Sequence, residues 1–126
     1  MTNSRQPISF VATHDPEAAR CFYGDVLGLD LVDANPYALV FSEGGDTLRV
    51  QIVPQFTPVA HTVHGWQVKN IELEVAELSA KGVEFSKFDQ LEQAGNGVWT
   101  SPDGHKIAWF KDPSGNILSF TQIVSS

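Results

Sequence analysis

Few side chains here could hold a metal, move a proton or clasp a small molecule, and they are scattered. The four histidines are His14, His61, His64 and His105. Neutral imidazole binds divalent metals and can carry a proton. His64 is the histidine placed nearest a binding site; its alternative is a strand position facing a helix. His61 lies in a Pro-rich linker and reads as a surface-loop residue within reach of a site's rim. His14 precedes a helix cap and reads as a turn residue. His105 follows Asp103-Gly104 and either lines a site or opens a strand. Cys21 sits between Arg20 and Phe22, where a half-buried packing thiol is a better reading than a nucleophile. Tyr23 reads as packing rather than as an acid or base. Arg49 stands opposite the apolar face of its strand. Its guanidinium either holds an anionic group of a ligand or pairs with a surface carboxylate. Among the tryptophans, Trp66 shares a strand face with His64 and Val68 and packs under a helix. Trp99 and Trp109 suit an aromatic wall.

The elements that must position these residues are legible in the pattern. Ile8 to Thr13 is a short apolar strand. Asp15-Pro16-Glu17 is a helix start: an N-cap acid, proline at the first helical position and an acid in the first turn. Apolar residues at Ala18, Phe22 and Val26, with Gly28 as the C-terminal stop, predict one helix over 15–27. Strands follow at Leu29–Val32, Tyr37–Ser42 and Thr47–Val53, the last two joined across Gly44-Gly45, a hairpin signal. Pro54 to Ala60 reads as a linker. The order then restarts. A strand spans His64–Lys69. Asn70 caps a helix bearing Ile71, Val75 and Leu78, and Gly82 ends it. Strands are predicted at Val83–Phe85, Gly97–Ser101, His105–Lys111 and Asn116–Ile123.

Sliding the chain by 54 residues lays Gly28-Leu29-Asp30-Leu31 on Gly82-Val83-Glu84-Phe85. The repeated unit is βαβββ. A single domain is expected over residues 1–126: module one at about 8–54, a linker at 55–62 and module two at about 63–123. The composition is that of a soluble globular chain, with 42% hydrophobic and 18% charged residues. A net charge of −7 without any Lys/Arg cluster argues against nucleic acid as a partner. No apolar run reaches the ~20 residues of a membrane helix. The polar first residues carry no secretory signal, and one cysteine builds no disulfide framework, so a cytoplasmic location is expected. One cysteine also excludes a thiolate-rich zinc site within the chain.

Three motifs carry a resemblance. Asp15 to Leu29 (DPEAARCFYGDVLGL), Phe110 to Asn116 (FKDPSGN) and Trp66 to Ile71 (WQVKNI) resemble the first helix, the last hairpin and the start of the second unit in the vicinal-oxygen-chelate superfamily. That superfamily includes glyoxalase I, bleomycin-resistance proteins and extradiol dioxygenases. The resemblance spans about residues 8–122. It implies an α+β fold in which two βαβββ modules form a curved mixed sheet, an open barrel around a cavity, with helices outside. It also implies a homodimer, and in the enzymes a divalent metal held by His, Glu or Gln from strands of both modules.

Those metal positions are poorly filled here. The last strand has Ser119 where the family has Glu. The first strand reads Ile8-Ser9-Phe10, without His. The second module opens with Val63-His64-Gly65, so His64 aligns only if the strand is one residue shorter than usual. Gln51 or Arg49 stands where some members have Glu. The expectation is therefore a metal-free cavity binding a small aromatic or cationic molecule. Arg49, Gln51, His64, Trp99, His105, Trp109 and Ser119 are its candidate ligand-binding residues. The alternative is a metal-dependent lyase, isomerase or dioxygenase with one divalent metal involving His64 and Gln51. Whether any reaction is catalysed stays open at the level of sequence.

Overall fold

The computed structural model describes residues 5–124. Its internal contacts divide the chain between Pro58 and Val59 into two compact units.

Module one begins with β1 (Ile8–Thr13) and α1 (Pro16–Arg20), which runs on into a π-helical segment (Cys21–Val26). Three strands follow: β2 (Asp30–Ala34), β3 (Ala38–Glu43) and β4 (Asp46–Ile52). The helix start is as the sequence dictates: the Asp15 carboxylate accepts the Ala18 N–H at 3.1 Å, and Pro16 fills the first turn. The expected single α-helix over 15–27 needs correction. Only five residues are α-helical before the turns widen, and the Leu27 N–H reaches back five residues to the Phe22 carbonyl at 2.9 Å. The wider turn brings neighbouring side chains closer in azimuth, and Phe22 and Tyr23 are both buried. Gly28, at φ 78°, lets the chain leave the helix. Cys21 is exposed, which corrects the half-buried packing expected of it.

The sheet order is β1-β4-β3-β2, with β1 parallel to β4 and the other pairs antiparallel. Gly44 and Gly45 both have positive φ, the requirement of a two-residue hairpin whose twist matches its strands. One face of the sheet carries Val11, Leu39, Phe41, Leu48 and Val50. All are buried, and Tyr23 packs on Phe41 with ring centroids 5.8 Å apart. Each such side chain contributes about 1.5–3 kcal/mol relative to exposure.

Module two repeats the plan: β5 (Thr62–Gln67), α2 (Ile71–Ala80), β6 (Trp99–Thr100), β7 (Lys106–Lys111) and β8 (Ile117–Gln122), in the order β5-β8-β7-β6. Here too the first strand is parallel to the last. At the start of α2 the Asn70 side-chain Oδ1 accepts the Leu73 N–H at 3.1 Å, and the Gln122 side-chain oxygen of β8 accepts the Ile71 N–H at 2.8 Å. Ile71, Val75 and Leu78 are buried, as are Ala108, Phe110, Leu118 and Phe120 of the sheet. Trp66 lies near-parallel to Phe110 at 6.4 Å and tilted against Phe120 at 6.0 Å, on the sheet face that also carries Leu118. The predicted strand Val83–Phe85 shrinks to a single bridge between Phe85 and Phe110. The edge of β7 is divided: β6 pairs with its first residues and Phe85 with its later ones.

The loop Asp112–Asn116 is built on one carboxylate. Asp112 accepts the N–H groups of Ser114 (3.0 Å) and Asn116 (2.9 Å) and the Asn116 side-chain amide (2.8 Å). Both Asp112 and Asn116 are buried. The Asp-Pro-Ser-Gly-Asn motif therefore shapes the β7–β8 hairpin.

Candidate functional site

Each sheet has a second face, turned away from its helix. In module two, alternation places Ile107, Trp109 and Lys111 of β7 there, together with Ile117, Ser119 and Thr121 of β8. Gly65, Ser119 and Trp109 form one row across three strands. Gly65 is required by this row. A Cβ built on it would lie 2.6 Å from Ser119 Oγ and 3.0 Å from the Ser119 carbonyl oxygen.

Trp109 forms the wall of a hollow of about 270 Å³, with His61, Thr62, Phe88, Leu91 and Ile117 around it. Phe88 meets Trp109 edge-on at 5.3 Å, and Trp99 lies 6.2 Å from Trp109, tilted by 37°. Such geometries are the favoured ones for aromatic pairs. The loop carrying Phe88 and Leu91 has no regular strand or helix, and one side chain supplies three of its hydrogen bonds. Gln93 accepts the Phe88 N–H at 2.7 Å and donates to the carbonyls of Ser86 (2.9 Å) and Gly97 (2.7 Å). The Ser86 N–H bonds the Trp109 carbonyl at 2.8 Å, which fastens the loop to β7.

Module one presents Ile8, Phe10 and Ala12 of β1 beside Thr47, Arg49 and Gln51 of β4, and then Ser42, Val40 and Ala38 of β3. Arg49 therefore stands between Phe10 and Val40, and Gln51 between Ala12 and Ala38.

The expected site residues do not all gather. Trp99, Trp109 and Ser119 lie together on module two's helix-free face. His64 pairs with Leu118 on the opposite face, its ring edge-on to Trp66 at 4.8 Å. A bulge at Val63 sets this phase. His105 is tied into a turn: its N–H bonds Ser101 Oγ at 3.1 Å and its Nδ1 accepts the Val124 N–H at 3.0 Å. Arg49 and Gln51 lie on module one's sheet. Sequence reasoning missed Phe88, Leu91 and Ile117, and read His61 as a surface-loop residue at the rim. The available signal was the isolated Phe88 and Leu91 inside the polar stretch Ser86 to Glu92 (SKFDQLE).

The metal implied by the resemblance does not fit these donors. The helix-free faces offer hydroxyls at Ser42, Thr47, Ser119 and Thr121, amides at Gln51 and Gln67, cations at Arg49 and Lys111, and carboxylates at Asp30 and Asp33 of β2. The row Gly65–Ser119–Trp109 holds neither imidazole nor carboxylate, and the space beside Gly65 is closed by Ser119. Divalent metals in such sites want imidazole and carboxylate ligands. Among the described residues, no group of three or more His, Cys, Asp or Glu side chains is close enough to hold a metal ion.

Two βαβββ modules, each with a helix-free sheet face, and an aromatic hollow in the second define an α+β protein of the glyoxalase fold. The family model described as Glyoxalase/Bleomycin resistance protein/Dioxygenase superfamily matches residues 7–120, and the chain belongs to that superfamily. Among solved structures it is similar to lactoylglutathione lyase from Agrobacterium tumefaciens: TM-score 0.74, 18% identity, 96% of this chain and 95% of that one. It is also similar to TnmS3, an antibiotic binding protein from Streptomyces sp. CB03234: TM-score 0.72, 22% identity, 98% and 99% covered. A glyoxalase/bleomycin resistance protein/dioxygenase from Alicyclobacillus acidocaldarius gives TM-score 0.72 at 19% identity, with 99% and 96% covered. At these identities the likeness establishes the fold. Among curated proteins no match is found.

Proposed function

We propose that this protein binds a small aromatic molecule without a resident metal, and that the Trp109 hollow takes the ligand's ring. The observation that carries this is the wall made by Trp109, Phe88 and Ile117, braced by Gln93, on a face where Ser119 and Thr121 supply hydroxyls and Lys111 a cation, with His61 at the hollow. Ligand pockets are commonly apolar hollows of about 300–1,000 Å³ with a few placed polar groups, and this one, at about 270 Å³, falls just below that range and suits a single ring. The antibiotic binding protein among its structural neighbours is consistent with the reading. The net charge of −7 favours the approach of cationic aromatics at long range. A homodimer and a cytoplasmic location belong to the same proposal; sedimentation velocity tests the first and fractionation of cells the second.

The test is a calorimetric screen of planar aromatics of differing charge. At least one compound is expected to bind below millimolar concentration, with affinity falling tenfold or more in Trp109→Ala and largely kept in Trp109→Phe. No binding by any compound would sink the reading. Elemental analysis of dialysed protein is expected to find no stoichiometric nickel, zinc, iron or manganese. One retained equivalent would favour the metal-dependent lyase, isomerase or dioxygenase instead.

A further inference from the structure

We infer that Arg49 and Phe10, on the helix-free face of module one, form a subsite for a small aromatic carboxylate. Arg49 is the sole basic residue in the four strands of this sheet. It is half-buried, and among the described residues its guanidinium has no ion pair or hydrogen bond. A guanidinium so placed presents a planar fork of donors that matches a carboxylate in bidentate fashion.

Its neighbours specify the rest of the ligand. Phe10 is directly beside Arg49 in the parallel β1–β4 register, and Val40 is beside it on β3. Phe10 and Ile8, both on this face of the edge strand β1, are each 52% exposed, although each is a large apolar side chain. An apolar strip flanking one unpaired cation suits a ring joined to an anion, since neither a bare anion nor a plain hydrocarbon would use both. The overall charge of −7 does not oppose this at contact. Exposed charges more than about 10 Å away are largely screened at 0.1 M salt.

This inference does not rest on the Trp109 hollow, and one titration separates the two. Isotope-labelled protein is titrated with phenylacetate, phenylacetamide and phenethylamine, reading the Arg49 Nε–H, the Phe10 ring and the Trp99 and Trp109 indole signals. Phenylacetate is expected to move the Arg49 and Phe10 signals and to bind at least tenfold more tightly than its amide. Arg49→Gln should erase that preference and Arg49→Lys should keep part of it. Phe10→Ala should weaken acid and amide alike. Equal binding of acid and amide, an unmoved Arg49 signal, or a preference that survives Arg49→Gln would overturn the subsite. Movement of the indole signals alone would also overturn it, while supporting the hollow. Movement of Arg49 and Phe10 alone would support the subsite and count against the hollow.

Discussion

Asp112 and Gly65 do different work from what their surroundings suggest. Asp112 lies in the motif that resembles a family signature, yet three hydrogen bonds that it accepts come from the turn that follows it. Removing the carboxylate would leave the buried Asn116 N–H and its amide without their acceptor, a loss of about 1–3 kcal/mol per stranded group. Asp112→Ala is therefore expected to cost about 2–4 kcal/mol, read as a lower urea midpoint at unchanged slope. Gly65 is constrained by its neighbour rather than by its own backbone. A methyl group there would press on Ser119 Oγ and on the carbonyl oxygen behind it. The hydroxyl can rotate away but the backbone cannot, so Gly65→Ala should cost about 1–3 kcal/mol in the same experiment. A loss within error would mean that the β5–β8 spacing is looser than described.

At the level of elements, the loop between Phe85 and Trp99 is the weakest part of the candidate site. It carries Phe88 and Leu91 to Trp109, and its regular pairing is limited to bridges at Phe85 and Gln93. Gln93 supplies three of its bonds. Gln93→Ala should free the loop without unfolding the sheet, because local openings draw on local contacts. The Phe88 amide is expected to exchange at least tenfold faster, and affinity for an aromatic ligand of the hollow to fall several-fold. Little change should reach the Phe110 and Phe120 amides in the sheet. Protection lost equally everywhere would show that Gln93 serves global stability instead.

Over the whole molecule the charge is the main lever. Fifteen acidic residues face eight basic ones. Ion pairs such as Lys106–Glu72, at 3.9 Å between exposed side chains, contribute little and are screened by salt. Like-charge repulsion is screened as well, and at a net charge of −7 it is the larger of the two effects. The melting temperature is expected to rise between 20 and 500 mM sodium chloride, by about 2–5 °C if the relief is near 1 kcal/mol. A fall on adding salt would mean that attractive pairs dominate.

The sequence by itself determined the order of elements, the α+β class, the duplication and the caps. Asp15, Asn70, Gly28 and Gly82 act through bonds to residues within a few positions, so their meaning is local and readable. Alternation likewise set which strand residues share a face, including Trp66 with His64. What only the tertiary structure decided was phase and company. A bulge at Val63 breaks the alternation between Thr62 and His64, and widened turns end α1 after Arg20. Phe88 reaches Trp109 through a loop with no period of its own. These outcomes depend on contacts between residues far apart in the chain, whose free energies no local pattern records.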